Sequence, residues 1–338
     1  MTTTPEPGVG LDAAAELADR IGWRVTSTWT DDVLAGFGGF PAGLRVPPGY
    51  NKPVLMMATA GIGTKAEIAR ITGLVDGLGY DLLAMVADDL SSAGAMPLAM
   101  QDYIALGYLD VDRTEMLVES ITDACADNDV ALLGGETAEH PGVISGERFD
   151  LAGTALGIVE LGDEIDNDRI AIDDVIIGVH SPNLRTSGFS LVRALIVDQL
   201  ELGAPFPGSD RTFAEVLLEP SVVYAQSVVN ALARAEPHGL AHIKDGGIPT
   251  CVAKILPDGM AASIEQSRWE LPEVFQVLRS LGPISDDEMY RTFNMGIGFV
   301  AVAPEGDADR LIKGFASYDQ DAEVIGRITE GDGTVDIV

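Results

Sequence analysis

Apolar and polar positions along the chain fall into blocks whose period switches between helical and strand-like spacing. The spacing predicts helices over residues 12–21, 66–77, 80–92, 112–127, 188–200, 221–234, 247–255, 271–281 and 308–317. It predicts strands over 53–58, 97–107, 130–133, 149–159, 175–179, 296–302 and 322–328. Glycine-rich stretches at 35–40, 59–65 and 134–139 punctuate the first half. The polar, acidic stretch 160–169 interrupts the pattern, which then restarts. It is the expected boundary between domains 1–165 and 166–338. The order is mixed, with room for antiparallel pairing, so the expected fold class is α/β (α+β) rather than a clean βαβ repeat.

Composition narrows the function classes. The 338 residues suit two cores of ordinary size. No apolar run reaches membrane-spanning length, and the first residues carry neither a basic region nor an apolar stretch, so a cytoplasmic protein is expected. Fifty-three acidic residues against 21 basic ones give a net charge of −32. Without clustered Lys and Arg, a nucleic-acid surface is disfavoured. Any polyphosphate bound here must be met by local cations and backbone amides. Cys125 and Cys251 lie far apart, as do the four histidines, and neither set has zinc-ligand spacing.

Four segments carry candidate chemistry. In Gly61-Ile62-Gly63-Thr64-Lys65, glycines between a strand and a helix let amides approach an anion, and Lys65 adds a point charge. A tight turn with a surface lysine has the same signature. Asp81 and Asp88 are seven residues apart on a predicted helix, on one face, and Asp89 follows them. Aligned carboxylates suit a hard cation such as Mg²⁺; solvated acids of an acidic protein would look alike. Gly134-Gly135-Glu136-Thr137 ends a predicted strand either as a ligand-facing loop or as a plain transition. Asn294 reads as a turn residue.

Taken in order, these segments resemble the aminoimidazole ribonucleotide synthetases, also called phosphoribosylformylglycinamidine cyclo-ligases. The resemblance runs from about residue 36 to 304. It is carried by Asp89-x4-Gly94-Ala95-x-Pro97, the segment 134–139, Phe189-Ser190-Leu191-Val192-Arg193, the segment 269–275 and the segment 288–294. It implies an N-terminal α/β domain whose sheet forms a homodimer, and a C-terminal α/β sandwich. It also implies ATP, Mg²⁺ and a small phosphorylated substrate, formylglycinamidine ribonucleotide, closed to aminoimidazole ribonucleotide. By the same resemblance, Gly61, Gly63, Thr64 and Lys65 face the triphosphate, with Gly38 and Gly39 near the phosphates. Asp89 is a metal or nucleotide ligand supported by Asp81 and Glu136, with Thr137 beside it and Asn294 approaching from the second domain.

The chain departs from the family at instructive places. The family's Gly-Thr-Asp-Gly-Val-Gly-Thr-Lys becomes Ala58-Thr59-Ala60-Gly61-Ile62-Gly63-Thr64-Lys65, which replaces a carboxylate by Ala60. Gly10 replaces another. Asp88 stands where the family has Asn and is a substitute metal ligand beside Asp89. Arg185 and Lys244 enter loops expected to face the ligand, and with Lys65 they are the candidate catalytic cations. Three readings follow: an active cyclo-ligase, an ATP-using relative with another amide or carboxylate substrate, and a non-catalytic dimeric nucleotide-binding protein.

Overall fold

The computed structural model describes residues 10–34, 36–39, 41–282 and 284–338. In the first half, α1 (Gly10–Ser27) precedes a two-residue ladder of β1 (Val33–Leu34) and β2 (Gly43–Leu44). Then come β3 (Pro53–Gly61), α2 (Lys65–Thr72), α3 (Leu78–Ser92), β4 (Met96–Leu106), α4 (Val111–Asp127), β5 (Ala131–Glu139) and β6 (Phe149–Glu160). The larger sheet has the order β3-β6-β4-β5 and is antiparallel except for the β4/β5 pair. Strand β3 alternates strictly in exposure, as a half-buried strand should. Its odd positions leave Leu55 52% and Met57 70% exposed on an open face. The other face packs on α3, whose Leu78, Leu82, Leu83, Val86 and Leu90 are buried. Helices α3 and α4 touch through a glycine. A Cβ on Gly79 would lie 2.1 Å from the Ser120 carbonyl carbon, and the Gly79 N–H donates to Ser120 Oγ at 2.8 Å.

Two glycine-rich stretches expected as loops prove to be strand. β3 continues through Gly61, and β5 continues through the stretch 134–139. The cause is the ladder to β4, which pairs Asp102 with Gly135, Tyr103 with Glu136 and Ile104 with Thr137. Local composition favours a loop, but backbone pairing with a buried neighbour outweighs it. The helix expected over 66–77 ends instead at Thr72. Gly73 there adopts φ 79° and its N–H caps Ala69.

The second half contains β7 (Val175–His180), α5 (Phe189–Gln199), α6 (Phe213–Leu217), α7 (Ala225–Leu232), β8 (Gly239–His242) and α8 (Gly247–Ala253). It continues with β9 (Met260–Ile264), α9 (Glu273–Ser280), α10 (Asp286–Thr292), β10 (Ile297–Ala303), α11 (Glu305–Ala316), β11 (Ala322–Glu330) and β12 (Val335–Ile337). The sheet order is β12-β9-β11-β7-β10-β8, with only β12/β9 parallel. Every residue of β10 is buried, because helices cover both faces. On one face Ile177, Val179 and Phe299 pack with Val228 of α7 and Phe315 of α11; on the other, Ile176 and Val300 pack with Ile248 and Val252 of α8. A third apolar cluster crosses between the halves, joining Leu82 and Val86 of α3 to Phe189, Phe275 and Phe293. Helix α3 therefore lies on the seam between the two sheets.

That position explains a shortened helix. The spacing predicts 221–234, but α7 starts at Ala225. The Ser221 and Tyr224 N–H groups are taken by the Asp81 and Asp88 carboxylates of α3, at 3.0 and 2.8 Å. Carboxylates from another element hold this backbone outside the helix.

Candidate active site

The three acids of α3 form a ladder along the seam, and each meets one cation. Asp81 and Asp88 lie two turns apart on one face, as their spacing requires. At the inner rung, fully buried Lys65, the first residue of α2, places its Nζ 2.8 Å from Asp81 Oδ1 and 2.7 Å from Oδ2. The ammonium also donates to the Arg185 and Glu219 carbonyls at 3.1 and 3.0 Å. Its three N–H groups thus all have protein acceptors. Burial pulls the Lys65 pKa below the usual lysine value, against the pull of Asp81. Ser221 Oγ closes the rung, donating to Asp81 Oδ1 at 2.5 Å.

At the middle rung, buried Arg185 donates from Nη2 to Asp88 Oδ2 at 2.5 Å and from Nη1 to the Gly298 carbonyl at 3.0 Å. Its guanidinium also lies 4.8 Å above the Tyr224 ring. Burial pushes the Asp88 carboxyl above its ordinary range, with Arg185 opposing. The Arg185 backbone is left-handed, φ 57°, a costly conformation for a side chain of this size. It is held because Asn183 Oδ1 accepts the Arg185 N–H at 3.0 Å while Lys65 binds the Arg185 carbonyl.

The outer rung reaches solvent. Lys244 Nζ donates to both oxygens of Asp89, at 2.7 and 2.6 Å. The two side chains are 31% and 25% exposed. His242 Nδ1 lies 2.9 Å from Asp89 Oδ1; since a carboxylate only accepts, Nδ1 carries the proton. Burial pulls the His242 pKa below its usual value, with Arg185 adding to the effect, so the ring is neutral near pH 7. Burial pushes Asp89 upward, but His242 and Lys244 outweigh it and hold the carboxyl below its ordinary range. The turn after β8 aims Lys244. Gly246 and Gly247 have φ 98° and 62°, and a Cβ on Gly247 would lie 1.8 Å from the Tyr290 carbonyl oxygen.

The residues singled out in the sequence divide into two groups. Lys65, Asp81, Asp88, Asp89, Arg185 and Lys244 come together on the seam. Asn294 is buried near them as a turn residue, its Oδ1 accepting the Gly296 N–H at 2.8 Å and its Nδ2 donating to the Asn183 carbonyl at 2.8 Å. Gly134, Gly135 and Thr137 instead line a cavity of about 220 Å³ beneath α1, together with Phe37 and Asp102. Glu136 points to the opposite, exposed side of β5. Gly38 and Gly39 line neither place, while Ala35 and Phe40 of their loop, like Pro7–Val9, lie outside the described residues. Thr64 is the residue before α2, with its hydroxyl 3.4 Å from Ser190 Oγ. Gly61 ends β3, and Gly63 has φ 62° with open space where a Cβ would stand. Ala60 packs against the shared core.

As arranged, Asp88 and Asp89 do not fit a protein-held Mg²⁺. Each carboxylate is already paired with a cation, and among the described residues no three His, Cys, Asp or Glu side chains converge as metal ligands. The outer rung offers a solvent-facing ammonium, and bare Gly63 opens space before the start of α2.

Sequence reasoning missed His242, Tyr224, Ser221 and Asp102. His242 was legible, two residues before Lys244, the spacing that puts strand neighbours on one face. Asp102 shares parity with buried Met100 and Ile104, so an acid at a core position was the available signal. Ser221 and Tyr224 left none, because they contribute chiefly backbone N–H groups.

Sequence profiles of the AIR synthase related proteins match the chain twice, the N-terminal domain over residues 42–159 and the C-terminal domain over 171–338. A phosphoribosylformylglycinamidine cyclo-ligase of Sorangium cellulosum is 42% identical over 330 residues, spanning 96% of this chain and 95% of its own. One from Carboxydothermus hydrogenoformans is 40% identical over 331 residues, 97% and 96% of the two chains. Among solved structures, thiamine-monophosphate kinase of Stenotrophomonas maltophilia K279a superposes with TM-score 0.67 at 21% identity, covering 94% of this chain and 95% of that one. The hydrogenase maturation protein HypE in complex with ATP gives 0.68 at 18%, covering 98% and 92%. The structural likenesses carry the fold alone. The sequence matches extend through both halves and the seam between them, and the chain belongs to the AIR synthase related proteins as a member of the phosphoribosylformylglycinamidine cyclo-ligase family.

Proposed function

We propose that the protein is an ATP-dependent ligase of purine biosynthesis that closes formylglycinamidine ribonucleotide to aminoimidazole ribonucleotide. The observation that carries this is identity of about 40% to cyclo-ligases along nearly the entire chain. In that reaction the formyl amide oxygen takes the γ-phosphoryl group and ADP leaves. A substrate nitrogen then attacks the same carbon, the C–O bond breaks, and phosphate departs. The protein's share is positioning and charge. Lys244 faces the phosphates, with two of its three N–H groups committed to Asp89. The 61–64 turn supplies amides, and the buried rungs of Lys65 and Arg185 keep α3 and both sheets in fixed relation. Mg²⁺ enters this reading only with the nucleotide.

A different substrate would need Arg185 and Lys244 free to face it. Each is instead paired with an acid of α3, which does not favour that reading. The open face of the first sheet, with Leu55, Met57 and Tyr103 exposed, is the surface for a homodimer. A cytoplasmic location accords with this chemistry, and no described helix is long and apolar enough to cross a membrane. Purified protein incubated with formylglycinamidine ribonucleotide, ATP and Mg²⁺ is expected to form ADP and aminoimidazole ribonucleotide in equal amounts. Absence of both at high enzyme concentration overturns the proposal.

A further inference from the structure

The family's use of a divalent cation and the outer rung of this seam disagree, and the disagreement is informative. Asp89 is the α3 acid that reaches solvent, and both of its oxygens are engaged by Lys244 Nζ, at 2.6 and 2.7 Å. Its inner side is closed by His242 Nδ1 at 2.9 Å. Next to it, Asp88 is fully buried and spent on the Arg185 guanidinium and the Tyr224 N–H. A dication approaching this end of α3 would meet the Lys244 ammonium already seated on Asp89, with the Arg185 guanidinium paired to the buried carboxylate behind it. The loop that aims Lys244 is rigidly specified by the left-handed pair Gly246 and Gly247.

We infer that the Lys244 ammonium permanently occupies the place on Asp89 where a protein-held divalent cation would sit, so that the nucleotide-free protein binds no Mg²⁺ there and presents a fixed cation to a polyphosphate instead. The polyphosphate clause rests on the ATP-dependent reading above; the metal clause does not. A polyphosphate meets Lys244 from its solvent-exposed side, while Asp89 keeps the ammonium oriented. Lysine suits this role because an ammonium is compact and spherical, close to a hydrated-ion stand-in, where a planar guanidinium needs more room.

The test uses the full chain without nucleotide, with Mn²⁺ as the probe, followed by electron paramagnetic resonance of free Mn²⁺. Wild type and Asp89→Asn are expected to give superimposable titrations. Lys244→Met, which frees Asp89, is expected to take up one Mn²⁺ at least tenfold more tightly than wild type. The double variant Lys244→Met/Asp89→Asn is expected to lose it. Lys244→Gln removes the charge with a polar side chain and is expected to gain the Mn²⁺ site as Lys244→Met does, which keeps the comparison decisive if Lys244→Met is poorly folded. One Mn²⁺ held by wild type and lost in Asp89→Asn overturns the inference, as does a folded Lys244→Met that gains none. Failure of ATP to bind wild type at all, with these Mn²⁺ results intact, counts against the ATP reading alone.

Discussion

Replacing Asp102 by asparagine isolates a single buried carboxyl on β4. The group lies beneath α1 at the edge of the 220 Å³ cavity, and a Cβ on Gly135 would lie 2.2 Å from its Oδ1. No other side chain donates to it among the described residues, and burial pushes its pKa from 3.8 up to about 7. A folded-state value above the unfolded one means stability that is present below about pH 4 and lost as pH rises through about 7. Integrating the shift gives a loss of about 1.7 kcal/mol by pH 5 and about 4.3 kcal/mol by pH 8, a difference of about 2.6 kcal/mol. Asparagine has nearly the same shape and does not titrate, so it carries no such pH-dependent loss. Urea unfolding of both proteins between pH 5 and pH 8 is the assay, read as the difference in midpoint at matched slope. The wild type is expected to lose about 2.6 kcal/mol relative to Asp102→Asn across that range. A difference that stays flat with pH, or a carboxyl carbon resonance for Asp102 that titrates near 4, refutes the reasoning.

Three further outcomes follow from the seam and the sheet. Lys65→Met leaves Asp81 buried without its cation and is expected to cost about 3–5 kcal/mol; Lys65→Met/Asp81→Leu should recover much of that loss, and equal losses in the single and double variants would show that the pair is not the cause. Gly247→Ala forces a Cβ to within 1.8 Å of the Tyr290 carbonyl oxygen from a positive-φ position. It is expected to destabilise by about 2 kcal/mol or more and to raise the KM for ATP by displacing Lys244, measured by calorimetry and steady-state kinetics. On the homodimer proposed above, Met57→Glu on the open sheet face is expected to halve the mass in sedimentation equilibrium; a wild type that sediments as a monomer, or a mass unchanged by the substitution, counts against the open face as that surface.

The local order was legible because it is encoded locally. Helix α3 and strand β4 were read from periodicity within about two residues of their ends, and the Asp81/Asp88 spacing placed both acids on one helical face. The chain's own sequence also determined its family, since the motifs that carry the resemblance are contiguous. What tertiary structure decided is how the charges of the candidate site pair. Asp88 meets Arg185 97 residues away, and Asp89 meets Lys244 155 residues away. Periodicity has no reach over such separations, so six charges that read as separate candidate ligands fold into three mutually neutralised pairs. The same holds for β5, where a glycine-rich segment became strand because β4 lay beside it. Burial, which no single segment encodes, determined that Lys65 is enclosed, that Lys244 reaches solvent, and that Asp102 has no cation to neutralise it among the described residues.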